Sequence, residues 1–293
     1  MHSKNDQRMD WQQFILTHQT KIESEFGKEE SIAILKNTAA YITRKQYAEI
    51  RSEKIDPMDL RKAEEMISQL NEGKPLQYVT GEAWFYKYLF KVNPSVLIPR
   101  PETEELIEWM LHGFKQEETP NQSYKILDIG SGSGCIPVCL KKERPQDTIC
   151  SIDISEEALE LAKKNAKNLQ ADIQFIQMNF LEEREWTSLE CYDYIISNPP
   201  YIPLREKDHL DKQVRDFEPQ LALFVPDNRP LLFYEKIASF GLTHLTPEGR
   251  IYVEMHQQFA QQTKSVFANK GYKKVEIKKD ISGNERMLMA SLP

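Results

Sequence analysis

The sequence predicts a doubly wound α/β fold built on a mostly parallel, seven-stranded sheet. From position 124 onward, short apolar segments alternate with stretches of helical periodicity. This alternation is typical of a parallel sheet that helices cover on both faces. The first apolar segment also runs directly into a glycine-rich turn, "LDIGSGSGCIPV". In such sheets ligands bind beyond the carboxyl ends of the strands, so the residues that follow each strand are the first candidates for function.

Composition and charge exclude several classes of protein. The 293 residues allow one large domain or two modest ones, and 40% hydrophobic with 28% charged residues is ordinary for a globular protein. The formal net charge of -7 argues against a chain that binds a nucleic-acid backbone over its whole surface, so we expect no stable nucleic-acid binding. No apolar run reaches the roughly 18 residues that span a bilayer, and the first residues lack a secretion signal. We therefore expect a cytoplasmic monomer with no membrane partner.

Cysteine and histidine spacing indicates no metal site. The four cysteines form no C-x-x-C pair, and the six histidines form no H-x3-H pair. Reduced thiols in the core account for the cysteines better than disulfides or metal ligands. We expect no bound metal.

Residues 1–75 are predicted to form a small helical domain. Ser31 is expected to cap its second helix. A later helix has clearer limits, because Asp56 is a good cap, Pro57 suits the first helical position and Gly73 suits the position after the end. Two interpretations of this domain stay open: a bundle that packs on its neighbour, or a docking module for a protein partner.

Residues 76–98 are predicted to form a β-hairpin linker, because aromatic and β-branched residues alternate around Gly81. A helix follows at "IPRPETEELIEWML", whose first turn is rich in glutamate, as the helix dipole favours. Residues 99–293 are assigned to the α/β domain. Its strands are expected at "YKILDI", "TICSID", "IQFIQM", "YDYIIS", "RIYVEM", "YKKVEI" and "RMLMA".

The turn after the first of these strands is a candidate nucleoside-binding loop. Glycine at alternate positions permits a tight turn and lets a ligand approach the backbone, while the following helix points amide donors at it. A dinucleotide fingerprint would need a glycine where Cys135 stands. The candidate binding residues of this loop are Asp128, Gly130, Ser131, Gly132, Ser133 and Gly134.

The ends of the second and third strands carry further candidates. Asp153 ends the second strand, where an acidic side chain can accept both ribose hydroxyls of a nucleoside. Ser155 is the better cap for the next helix, which leaves Asp153 for the ligand. After the third strand, Asn179 and Phe180 are placed to frame a nucleobase.

The fourth strand leads into "SNPPY", a segment that can neither continue a strand nor begin a helix. Proline fixes φ, lacks a backbone donor and restricts the residue before it, so the turn is stiff. Such a turn, with an amide at one end and a tyrosine ring at the other, suits the holding of a flat group. Asn198, Pro199, Pro200 and Tyr201 are therefore candidates for holding a flat ligand.

The order of "DIGSGSG", "SIDIS" and "NPPY" resembles class I S-adenosylmethionine-dependent methyltransferases that modify planar amino groups. The further segments "GEAWFYKYLFKV", "VLIPRPETEEL" and "RDFEPQLAL" are similar to the protein-(glutamine-N5) methyltransferases that act on peptide chain release factors, the PrmC or HemK family. The resemblance runs from about Gly81 to the C-terminus. It implies a Rossmann-like fold, S-adenosylmethionine as cofactor with S-adenosylhomocysteine as product, and release factors as protein substrate.

The resemblance also implies that Asn198, Pro199, Pro200 and Tyr201 act in catalysis and substrate binding, and that Asn198 contacts the cofactor as well. The Asn198 side-chain oxygen and the Pro199 backbone carbonyl would accept the two N–H groups of a glutamine amide and align its nitrogen with the methyl group. Tyr201 would stack on or wall the amide, and Pro200 would hold the geometry. The segment that begins at Arg100 is expected to flank the substrate channel.

Three departures from the family pattern affect loops. The chain reads "FVPDNRPLLFYEKI" where the family usually has glycines and Asp-Gly-Leu, Lys87 stands where a glycine is frequent, and the fifth strand ends "VEMH" instead of Glu-Ile-Gly. They concern loops and partner contacts, and none of them touches the residues proposed for methyl transfer.

Alternative functions stay open from the sequence. A sister family methylates glutamine in a ribosomal protein, and adenine-N6 enzymes on nucleic acid share the Asn-Pro-Pro-Tyr motif. Adenine-N6 methylation of nucleic acid would require a basic groove or a target-recognition domain, which the sequence does not offer. A sensor or scaffold that only binds S-adenosylmethionine would have no need for an intact Asn-Pro-Pro-Tyr motif.

Overall fold

The computed structural model describes residues 8–115 and 122–293. The chain divides into two compact units. The first contains the described residues up to Glu82 together with Asp211–Phe217, and the second contains the described residues of Ala83–Leu210 and Glu218–Pro293.

The helices and strands are numbered in chain order. The helices are α1 (Trp11–Phe26), α2 (Lys28–Thr43), α3 (Tyr47–Ile50), α4 (Pro57–Asn71), α5 (Leu76–Thr80), α6 (Pro101–Lys115), α7 (Cys135–Glu143), α8 (Glu156–Asn168), α9 (Lys212–Phe217), α10 (Gln220–Leu223), α11 (Leu232–His244) and α12 (Ala260–Asn269). The strands are β1 (Glu82–Phe85), β2 (Tyr88–Lys91), β3 (Lys125–Ile129), β4 (Thr148–Asp153), β5 (Gln174–Gln177), β6 (Tyr192–Ser197), β7 (Ile202–Pro203), β8 (Phe224–Val225), β9 (Leu245–Glu254), β10 (Lys274–Lys279) and β11 (Glu285–Ser291).

The first unit is helical, as its sequence predicts, and packs around the apolar faces of α1, α2 and α4. The expected limits of α4 are confirmed, because the Asp56 side chain accepts the Met58 N–H, Pro57 opens the helix and Gly73 has φ +87° just past its end. The prediction that Ser31 caps a helix was wrong. Helix α2 already begins after Gly27, and the buried Ser31 hydroxyl donates to the carbonyl of Lys28.

The hairpin is shorter than its alternating pattern predicts. Only β1 and β2 form it, while Leu76–Thr80 is a helical turn. Pro75 precedes this helix as its N-cap, and Gly81 with φ +70° ends it. Proline and glycine at the two ends therefore override the β-branched composition between them.

The second unit contains the predicted seven-stranded sheet, in the order β10-β11-β9-β6-β3-β4-β5. Strands β5, β4, β3, β6 and β9 pair in parallel, and β11 runs antiparallel to both of its neighbours. Two apolar clusters are built from the strands of this sheet and the helices that flank it. The doubly wound, mostly parallel fold is thus confirmed, and the carboxyl ends of β3, β4, β5 and β6 meet at one edge.

Two kinds of feature are absent from the residues that the structure describes. No helix there is long and apolar enough to cross a membrane. No group of three or more His, Cys, Asp or Glu side chains in the described ranges is arranged to hold a metal ion.

Candidate active site

A cavity of about 330 Å³ lies at the carboxyl ends of the central strands. Most of the residues that the sequence proposes for function line it: Arg100, Gly130, Ser131, Gly132, Ser133, Asp153, Asn179, Phe180, Asn198, Pro199 and Pro200. Three others, Asp128, Gly134 and Tyr201, are not part of the lining. The structure therefore brings residues from four separate strand ends to one place.

The glycine turn after β3 leaves room for a ligand against its backbone. Gly130 and Gly132 have φ of +90° and +50°, a region that favours glycine. A Cβ added at Gly132 would meet no atom within 4 Å, and one at Gly130 only the Asn198 carbonyl oxygen at 3.9 Å. Gly134 also has a positive φ, and its Cβ would in addition lie 3.1 Å from that of Ala162 on α8.

The carboxylate of Asp153 lies beside this turn. Its Oδ2 accepts the Gly132 N–H over 2.9 Å and its Oδ1 the Ser155 N–H over 2.9 Å. Each oxygen retains a lone pair, which fits the two hydroxyls of a ribose. Burial raises the pKa of Asp153, and the backbone donors oppose that rise. Ser155 caps α8 through the Ala158 N–H, as predicted.

Asp128 lies behind the glycine turn and is fully buried. Its Oδ2 accepts a hydrogen bond from Ser151 over 2.6 Å, and the Ser151 hydroxyl also pairs with that of Ser131. Its Oδ1 has no partner among the described residues. Burial raises the pKa of Asp128 to about 8. Since Asp128 does not line the cavity, its connection to the turn runs through the two serines.

Asn179 and Phe180 follow β5, where the sequence places them. The Asn179 side chain accepts the Leu181 N–H over 3.1 Å, which closes a local turn. The Phe180 ring stacks on Trp186 with 5.4 Å between centroids and meets Phe240 edge-on. Phe180 is therefore held by the core at the wall of the cavity, and the framing of a nucleobase by these residues stays a prediction.

Asn198 is fixed by partners that sequence reasoning missed. Its Nδ2 donates to Thr103 Oγ1 over 2.9 Å, and Thr103 Oγ1 donates to Glu254 Oε2 over 2.6 Å. The Tyr201 hydroxyl donates to Glu254 Oε1 over 3.0 Å. An acidic residue directly after the apolar run "IYV" near the end of β9 was the available signal for Glu254. Burial raises the pKa of Glu254, while its two donors and Arg286 oppose the rise.

Tyr201 contacts two residues that the sequence did not indicate, Glu254 and His256. Beyond its bond to Glu254, its ring meets that of His256 edge-on, with 5.9 Å between centroids. Burial, with the charge of Glu254, raises its pKa, so its hydroxyl stays protonated and acts as a donor. The stacking of Tyr201 on a substrate amide remains a prediction.

Arg100 is anchored by Glu218, a further residue that sequence reasoning missed. The Arg100 guanidinium pairs with Glu218, whose side chain is 1% exposed and also accepts the Ile98 N–H over 3.3 Å. Burial raises the pKa of Glu218, and Arg100 opposes that rise. Glu218 belongs to the "RDFEPQLAL" segment, so this pair joins two of the segments that carry the family resemblance.

The strand order, the open glycine turn, the strand-end acid and the Asn-Pro-Pro-Tyr turn define a class I methyltransferase. The cavity fits S-adenosylmethionine, because open backbone at Gly132 and the remaining lone pairs of Asp153 suit a nucleoside.

The methyltransferase small domain model matches residues 108–215. The solved "delta-N METTL16 MTase domain" has a TM-score of 0.52 at 17% identity, covering 70% of this chain and 88% of that one. The human methyltransferase 10 domain containing protein has a TM-score of 0.50 at 18% identity, with 70% and 89% covered; both show the fold alone.

Sequence relatives place the chain more narrowly. A release factor glutamine methyltransferase of Flavobacterium psychrophilum is 43% identical over 236 residues, which are 80% of this chain and 81% of that one. The protein of the same name from Bacteroides thetaiotaomicron is 41% identical over 231 residues, 79% and 81% of the two chains. This chain belongs to the release factor glutamine methyltransferase family.

Proposed function

We propose that this chain transfers a methyl group from S-adenosylmethionine to the side-chain amide nitrogen of the glutamine in the Gly-Gly-Gln motif of peptide chain release factors. The relatives of the chain carry release factor glutamine methylation in their names. The structural observation that carries the proposal is the orientation of Asn198. Its side-chain nitrogen is bonded to Thr103, so its Oδ1 is the atom available to a substrate amide.

S-adenosylmethionine supplies, when bound, a methyl group activated on a sulfonium sulfur. Asn198 Oδ1 and the Pro199 carbonyl accept the two N–H groups of the glutamine amide and turn its nitrogen toward that methyl group. These acceptors also stabilise positive charge that grows on the nitrogen. Tyr201 is no base, because burial raises its pKa and its proton is donated to Glu254. The chain therefore contributes positioning and electrostatic stabilisation, and the proton leaves after methyl transfer.

The helical unit is proposed to dock the rest of the release factor. The segment Asp211–Phe217, which follows the proline turn along the chain, packs within this unit, where Lys212 Nζ lies 2.6 Å from Glu25 Oε2. Deleting residues 1–75 should abolish methylation of whole release factor and leave S-adenosylmethionine binding intact. Loss of cofactor binding on that deletion would contradict a docking role. A cytoplasmic location follows from a translation factor as substrate, and the monomeric state stays a prediction.

The test is an assay with labelled S-adenosylmethionine that offers purified release factor, ribosomal protein and DNA side by side, followed by mass mapping. We expect a gain of about 14 Da, the mass of one added methylene, on the Gly-Gly-Gln glutamine, abolished in Asn198→Ala. Label on adenine or on a ribosomal glutamine would replace the proposal with one of the alternatives. Tight cofactor binding without any transfer would favour a sensor or scaffold.

A further inference from the structure

A hydrogen-bonded chain runs from the proline turn into the core of the second unit. Asn198, at the cavity, donates to Thr103, which in turn donates to Glu254. Thr103 and Glu254 are 2% and 1% exposed, so solvent does not compete for these bonds. Thr103 lies in the first turn of α6, and Glu254 is the last residue of β9.

The chemistry of the three side chains fixes the direction of the chain. Glu254 accepts Thr103 on one oxygen and Tyr201 on the other, and the nearby Arg286 favours its charged form. As a carboxylate it has acceptors only, so it draws the hydroxyl proton of Thr103 toward itself. With its proton committed, the Thr103 oxygen can only accept from its other neighbour. Asn198 must then turn its NH₂ toward Thr103 and its carbonyl oxygen away from it. The hydrogen-bond network thereby fixes which of the two amide atoms of Asn198, nitrogen or oxygen, faces Thr103.

We propose that Thr103 is a positioning residue that holds the Asn198 amide in the one orientation able to accept the substrate N–H, with Glu254 setting the direction of the hydrogen bonds. The inference rests on the proposed function. If the Asn198 amide rotated by half a turn about its last bond, its NH₂ would face the substrate NH₂, donor against donor. Only the orientation fixed by Thr103 places an acceptor where charge develops during transfer.

Thr103→Val is the informative variant, because valine keeps the shape and removes both hydrogen bonds. We expect kcat to fall about 10- to 100-fold, with the dissociation constant of S-adenosylmethionine unchanged. Thr103→Ser restores the hydroxyl and should restore kcat. Thr263→Val is the matched control, since Thr263 is equally buried and its Oγ1 has no partner among the described residues; its kcat should equal that of the wild type.

A second measurement does not depend on the folding of Thr103→Val. In the NMR spectrum of the wild-type protein, the side-chain amide signals of Asn198 are identified by their loss in Asn198→Ala. One of the two Nδ2 protons should be protected from solvent exchange. Exchange of both protons at the rate of a free amide would overturn the inference, and so would an unchanged kcat in Thr103→Val or a failure of Thr103→Ser to recover it. A wild-type enzyme that transfers no methyl group to release factor would instead overturn the proposed function.

Discussion

Asp153 Oδ2 accepts the backbone N–H of Gly132 over 2.9 Å, which joins the end of β4 to the turn that follows β3. The bond places the acid against the most open point of the glycine turn. One ligand can therefore contact the turn backbone and the carboxylate together. This is the geometry that a ribose attached to a base and a sulfonium side chain requires, and it makes Asp153 the main polar contact expected for the cofactor.

Asp153→Asn should weaken S-adenosylmethionine binding more than it slows transfer. An amide keeps one acceptor and loses the charge, and hydrogen bonds to charged groups contribute about 1.5–3 kcal/mol, or roughly 10- to 100-fold in the dissociation constant. The value of kcat at saturating cofactor should stay within about threefold, because the lost contact is made in the ground state as well. Calorimetric titration measures the dissociation constant of S-adenosylmethionine, and initial rates at saturating cofactor measure kcat. The exposed Asp172→Asn is the charge-matched control, and equal weakening in both variants would count against the assignment.

Gly134→Ala should destabilise the second unit more than Gly271→Ala. Both glycines have positive φ, +78° and +96°, so each substitution adds backbone strain of about 1–2 kcal/mol. Only at Gly134 would the new Cβ also press on Ala162, at 3.1 Å, whereas at Gly271 it meets nothing within 4 Å. Overpacking should add about 1–3 kcal/mol at Gly134. Urea unfolding measures both losses, and equal values would show that the contact with α8 relaxes freely.

The strands of the large sheet and the start of α8 could be predicted because their signals are local. Alternation of apolar segments predicted all seven strands of the large sheet, and Ser155 predicted the start of α8. The strand ends then predicted most of the cavity, since parallel strands deliver their carboxyl ends to one edge. Where local signals conflict, as between the β-branched composition of Leu76–Thr80 and the flanking Pro75 and Gly81, the flanking residues decided the structure.

The partners of the site residues could not be predicted. Thr103 lies 95 positions from Asn198 and 151 from Glu254, and Glu218 lies 118 positions from Arg100. Each of these contacts depends on how α6, β9 and the loop after α9 meet in space. No spacing in the sequence encodes that arrangement. An acidic residue next to an apolar run is the sequence feature that indicates such a partner. If the run is buried, the carboxylate is buried with it and requires hydrogen-bond donors.

Asp128 should make the stability of the protein fall as the pH rises toward 8. Burial raises its pKa to about 8 in the folded protein, against about 3.9 in an unfolded chain. Between these values the folded state holds the extra proton, so unfolding releases it and stability decreases with increasing pH. Asp128→Asn cannot ionise and should show a flatter curve. Thermal unfolding without cofactor from about pH 5 to 9 covers most of the interval between the two pKa values and passes through the upper one, and parallel curves for the two proteins would contradict the assignment.

Arg100→Ala should destabilise the protein in a pH-dependent way. The variant leaves the Glu218 carboxylate buried with only the Ile98 N–H as donor. Breaking a buried pair costs about 3–5 kcal/mol, and we expect about 2 kcal/mol here because 32% of the Arg100 side chain is exposed. Burial already raises the pKa of Glu218, and this pKa should rise further without Arg100. The loss in free energy of unfolding should therefore grow as the pH rises, because Glu218 must then ionise in its buried position.

The double variant Arg100→Ala, Glu218→Gln separates this charge effect from lost packing. Glutamine removes the buried charge and can still accept the Ile98 N–H, so the double variant should recover most of the stability that Arg100→Ala loses at high pH. Urea unfolding near pH 6 and near pH 8 measures how much stability the double variant recovers. Equal losses at both pH values, or no recovery with glutamine, would mean that Arg100 stabilises the loop through its alkyl contacts. Methylation of release factor by the recovered double variant then tests whether Arg100 also contacts the substrate, since the scaffold is restored while the guanidinium remains absent.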